Sequence, residues 1–177
     1  MEKLKELHEI KEPDERNLYF TVSDGKGVAC RLSLEDIHAH VSSITLHKGV
    51  PEDIQSHFAQ AQNLAVYSWF HYQFNVTAQL MSFVSVEFAL KKKSGTKKSF
   101  KQLIEKAISE GWITDDGFAI AKLRENPEKD YIEVLADVMP KLRNKLAHGT
   151  HMLHNNALSS LRICAEFINQ LFDDGAI

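Results

Sequence analysis

The run Pro140-Lys141-Leu142-Arg143-Asn144-Lys145-Leu146-Ala147-His148-Gly149 gathers a guanidinium, an amide and an imidazole within six residues, from Arg143 to His148. On a helix, Asn144 and His148 stand four apart on one face, within hydrogen-bond reach. Arg143 and His148 are five apart, about 140° around a regular helix. They meet only if His148 leaves helical geometry, which Gly149 permits. Together the three suit a phosphodiester. Arg forks onto the anionic oxygens, His moves protons near neutral pH, and Asn fixes the imidazole ring. Such chemistry calls for no metal and no other cofactor. The same residue types also satisfy ordinary helix-end preferences, with Arg143 pairing to a core carboxylate and His148 simply packing. Both readings stand at this level.

Other chemistry-bearing residues lie upstream. Glu87 is the one acid in the stretch Leu64 to Leu90. Buried alone it would cost several kcal/mol, so it needs a cation. Arg143 is the candidate; alternatively Glu87 lies at an exposed helix end beside Lys91, four residues on. Lys91, Lys92, Lys93, Lys97, Lys98 and Lys101 set six positive charges within eleven residues. Such a run tracks a nucleic-acid backbone or simply solvates a helix end. For an RNA backbone the candidates are Lys92, Lys93, Lys97 and Lys98, with Lys141 and Lys145 beside the Arg/Asn/His motif. His38 and His40 are two apart and do not align on a helix. His148, His151 and His154 repeat at three, but Gly149 breaks their face and no Cys or acid joins them, so no metal is expected. Tyr67, Trp69, Phe70, Tyr72 and Phe74 crowd every face of one segment, which reads as core plus a dimer interface.

Arg-Asn-x-x-Ala-His, at 143–148, resembles the R-x(4–6)-H motif of the HEPN superfamily, the higher-eukaryote and prokaryote nucleotide-binding domain. In that family the residue after Arg is typically polar, as Asn144 is. Asn63-Leu64-Ala65-Val66-Tyr67-Ser68-Trp69-Phe70 and Glu87-Phe88-Ala89-Leu90 resemble the long helix of these bundles. The resemblance covers about residues 51–173. It implies an all-α bundle that dimerises and brings two Arg/His motifs into one cleft. Many members are metal-independent endoribonucleases of defence or toxin–antitoxin systems, so RNA and an antitoxin are the implied partners. Arg143, His148 and Asn144 would then be catalytic and Glu87 supporting. Other members are non-catalytic modules that bind RNA or nucleotides or act as scaffolds. The first 50 residues depart from the minimal family pattern.

The elements that must position these residues follow from punctuation. Asn17 to Val22 and Val28 to Leu32 flank a Ser-Asp-Gly-Lys-Gly turn, which predicts a small β-hairpin. Ser33 with Asp36 and Ser99 with Gln102 form capping boxes that start helices. Pro51-Glu52-Asp53 starts another, and no breaker follows before Ser94-Gly95. That helix is expected to run about 40 residues, roughly 60 Å if straight. A short helix is expected after Asp115 or Asp116. Asn126-Pro127 is expected to open the helix of Tyr131, Val134, Leu135 and Val138, and Pro140 to kink or split it. Leu158, Leu161, Ile163, Phe167, Ile168 and Leu171 mark a final amphipathic helix. The predicted fold is mostly α: a HEPN-like helical bundle with a long central helix and a small N-terminal β-hairpin. Residues 1–50 form an extension with the hairpin and a short helix, and 51–177 form the bundle.

Composition bounds the rest. A chain of 177 residues with 44% hydrophobic and 25% charged residues is an ordinary globular domain. A formal charge of -3 excludes a globally basic, histone-like binder. The two cysteines, Cys30 and Cys164, lie far apart, as expected in a reducing compartment. The charged start is no signal peptide. Of the 27 residues from Leu64 to Leu90, nine are polar and spread along the length, which argues against a bilayer span. The expectation is a cytoplasmic homodimer without membrane contact.

Overall fold

The computed structural model describes residues 3–23, 27–125, 128–149 and 153–173. Among them are one two-stranded antiparallel sheet and six α-helices. Strands β1 (Thr21–Ser23) and β2 (Ala29–Arg31) pair with Thr21 opposite Arg31 and Val22 opposite Cys30. Helices α1 (Leu34–Ser42), α2 (Glu52–Tyr67), α3 (Phe74–Ser94), α4 (Phe100–Ser109), α5 (Tyr131–Ala147) and α6 (Ala157–Leu171) follow. Short 3₁₀ turns lie at Leu7–Glu9, Glu15–Tyr19, Asp115–Gly117 and Ala121–Leu123. Both capping boxes form as expected: Ser33 Oγ accepts from the Asp36 amide and Ser99 Oγ from the Gln102 amide.

Helix α3 is the axis of the bundle and touches α2, α4, α5 and α6. Phe58 from α2, Val86 and Leu90 from α3, Leu103 and Ile104 from α4, and Phe167 and Ile168 from α6 are all fully buried. Each such side chain stabilises the fold by about 1.5–3 kcal/mol relative to exposure. Ile37 and Val41 of α1, with Ile44 and Val50 after it, lie in the same core, so the first 50 residues share the bundle's interior.

Two expectations need correcting. The long central helix is interrupted: residues 68–73 form a bend between α2 and α3. Ser68 Oγ turns back to donate to the Ala65 carbonyl at 2.7 Å, offering the backbone an alternative to the helix. The N-terminal segment then satisfies groups the bend frees. Asn17 Nδ2 donates to the Ser68 and Trp69 carbonyls, and Asp14 accepts the Tyr72 amide at 2.9 Å. Local periodicity carries no trace of partners more than 50 residues away. The second correction concerns Pro140, which splits nothing. Helix α5 runs unbroken through it. Pro140 removes one donor from the ladder, and both Met139 and Pro140 are buried against the core, so packing holds the helix together.

The start of α5 is fixed from a distance. Asp115 accepts the Tyr131 and Ile132 amides at 2.8 and 2.9 Å, satisfying two orphan donors of its first turn. The expected opening at Asn126-Pro127 lies outside the described residues. Gly149, at φ +87°, ends the same helix in a conformation that side chains rarely adopt. Among the described residues no helix is long and apolar enough to cross a membrane.

Candidate functional site

Helix α3 buries Glu87, which is 8% exposed, where α5 lies against it. Its carboxylate holds two cations. Arg143 Nη2 from α5 donates to Oε2 at 2.6 Å, and Lys91 Nζ donates to Oε1 at 2.6 Å. The two partners weighed from sequence are therefore both engaged, one on each oxygen. Arg143 Nη1 also donates to Asn144 Oδ1 at 3.2 Å, while its Nε is buried without a hydrogen-bond partner. A carboxylate buried this deeply is tolerable because both oxygens accept charge-assisted bonds. The trio carries one net positive charge, at the edge of the core.

His148 sits just past this anchor. It is the C-cap of α5, at φ −87° and ψ 5°, so it has left helical geometry, as a meeting with Arg143 requires. Its backbone N–H donates to the Asn144 carbonyl, and the Gly149 N–H donates to the Leu146 carbonyl. The imidazole is exposed and makes no side-chain hydrogen bond among the described residues. The amide of Asn144 is bonded to Arg143 and not to the imidazole, so ring fixation by Asn144 is absent in this state. Arg143, Asn144 and His148 thus share one helix end, with Lys141 and Lys145 exposed on the same helix.

The other lysines divide. Lys92 pairs with Asp53 at 2.6 Å. Lys93 lies 6.0 Å from the Trp112 ring and 5.8 Å from the Phe172 ring. Lys97 and Lys98 are exposed between α3 and α4. Lys101 bonds to Asp137 of α5 at 3.3 Å, which ties the start of α4 to the helix that carries the motif. His151 lies outside the described residues, and no group of three or more metal-ligating side chains occurs among the described ones.

Sequence reasoning missed a second polar cluster, around Asp14. Burial raises this carboxyl, but hydrogen bonds from the Arg16 guanidinium and the Tyr72 and Arg16 amides outweigh it and bring it to about 2. Arg16 forks onto both oxygens at 2.8 Å and lies 5.1 Å over the Tyr72 ring. The only local signal was an Asp able to cap a turn two residues on. Cys164 is fully buried, and burial pushes its thiol up to about 12, which makes it a packing residue and not a nucleophile.

No family model matches the chain, and no curated protein or solved structure matches it.

Proposed function

We propose that the protein is a HEPN-like, metal-independent endoribonuclease that works as a homodimer, of the defence or toxin–antitoxin type. The observation that supports it most is the placement of Arg143 and His148 at one end of α5, with Glu87 of α3, itself paired with Lys91, holding the guanidinium. The reaction needs a ribose 2′ oxygen to attack the neighbouring phosphorus while the bond to the 5′ oxygen breaks. His148 takes the 2′-hydroxyl proton, and Arg143 balances charge on the non-bridging oxygens. His148 of the partner subunit returns a proton to the departing oxygen. Lys141 and Lys145 on α5, with Lys97 and Lys98 beyond α3, bind the flanking phosphates.

A second reading, a non-catalytic RNA-binding or scaffold module, has its own support. The Arg143 head is already engaged by Glu87 and Asn144, and its side chain is only 31% exposed. Purified protein and its His148→Ala variant, incubated with mixed RNA in EDTA, separate the two. Cleavage by the wild type alone supports the enzyme. Equal cleavage by both, or by neither, overturns it, and RNA retention without cleavage supports the module.

A further inference from the structure

The aromatic run at the α2–α3 bend divides between the interior and the surface. Tyr72 is buried and stacks on Phe20, with ring centroids 6.2 Å apart. Tyr67, Phe70 and Phe74 instead line a cavity of about 620 Å³, which Leu4 and Ile10 of the N-terminal segment complete. That volume is within the range of small-molecule sites, roughly 300–1,000 Å³. Ile10 is 52% exposed and Tyr67 55%, so the apolar lining is open to a ligand.

The charged side chains that line this cavity are of one sign among the described residues. Among the described residues, Lys3, Lys5 and Lys11 line it and no carboxylate does. Lys5 Nζ donates to the Glu9 and Glu12 carbonyls and keeps its own segment curled. Lys3 and Lys11 form no ion pair among the described residues. The acids of the same segment, Glu9, Glu12, Asp14 and Glu15, line a neighbouring cavity of about 550 Å³, which Lys3 and Lys5 also border. An apolar pit rimmed by ammonium groups, two of them outside any ion pair among the described residues, selects a molecule with a greasy body and an acidic head. We propose that this cavity binds an amphipathic carboxylate, its alkyl or aryl chain against Tyr67, Phe70 and Phe74 and its head at Lys3 and Lys11. Apolar burial supplies the affinity, and the lysines supply the preference for an anion.

The test is calorimetric titration with dodecanoate below its micelle concentration, with uncharged dodecanol beside it. Dodecanoate is expected to bind saturably, one per chain, and about tenfold or more tighter than dodecanol. Ile10→Asp should weaken dodecanoate about tenfold or more. The double variant Lys3→Glu/Lys11→Glu should weaken dodecanoate about fivefold or more and leave dodecanol unchanged. Circular dichroism checks that each variant folds, and Tyr67→Ala replaces Ile10→Asp if that one does not. Absence of saturable binding, equal affinity for the alcohol, or an Ile10→Asp variant that binds as the wild type does would each overturn the proposal. So would sedimentation with phosphatidylglycerol vesicles in a protein that ignores free dodecanoate, which marks a bilayer-facing surface. A drop in molecular mass caused by Ile10→Asp overturns it as well, in favour of a contact between copies.

Discussion

At Glu87 one buried carboxylate is shared by two cations, so Arg143 has a structural part as well as its proposed chemical one. Arg143→Ala leaves one buried oxygen without a donor and should lower stability by about 1–3 kcal/mol in urea denaturation. His148→Ala, at an exposed helix end, should stay within about 0.5 kcal/mol of the wild type in the same measurement. If the site is catalytic, both variants lose RNA cleavage, His148→Ala by about 10²–10⁴-fold, which a gel assay reads directly. Asp14 gives a prediction in pH. Its carboxyl is held at about 2 against an ordinary 3.8, so its contribution is complete above the ordinary value and lost as pH falls through about 2. Thermal melts should show the gap between wild type and Asp14→Asn constant from pH 7 to 5 and narrowing towards pH 2. A gap that widens on acidification would refute the assignment. Much of the Arg143 site was legible, because an isolated acid on an apolar helix demands a cation. Asn144's attachment was not, since two hydrogen-bond partners lay within reach of one amide and spacing alone does not rank them.

At the scale of elements, caps and turns read well, while long-range partners did not. Ser33/Asp36 and Ser99/Gln102 announce α1 and α4 because both halves of each box are three residues apart. The bend at 68–73 is held by Asp14 and Asn17 besides the local Ser68 bond, and α5 is capped by Asp115, so neither boundary is set by neighbouring residues alone. This makes Asn17 a sharper test than its position on a short 3₁₀ turn suggests. Asn17→Ala leaves the Ser68 carbonyl without its donor, while the Trp69 carbonyl keeps the Asp14 amide, and should cost about 1–3 kcal/mol by chemical denaturation. A cost near zero would mean that the bend persists without this clamp. Pro140 is the converse case: a strong local breaker is overridden because its neighbours are packed on the core.

For the whole molecule, the proposed cleft depends on two copies. Val138 and Leu142 of α5 are 43% and 36% exposed and one turn apart, and Leu142 precedes Arg143 in the sequence. An apolar pair beside a charged motif suits the seam of a dimer. Light scattering at micromolar concentration should give twice the 20.1 kDa chain mass. Leu142→Asp should lower it to that of one chain and abolish cleavage together. A monomeric wild type removes the composite cleft.

The clamp from Asp14 to Tyr72 also sets an order of events during synthesis. Its two ends are 58 residues apart, with Asp14 made first. At roughly 5–20 residues per second, Asp14 waits about 3–12 s before Tyr72 exists to donate its amide. The donors for the carbonyls freed at the end of α2, Asn17 Nδ2 and the Asp14 amide, are made before α2 itself. The bend therefore closes once Tyr72 has emerged, against a segment that left the ribosome earlier. Assembly here runs backwards along the chain: the oldest residues finish the shape of the younger ones.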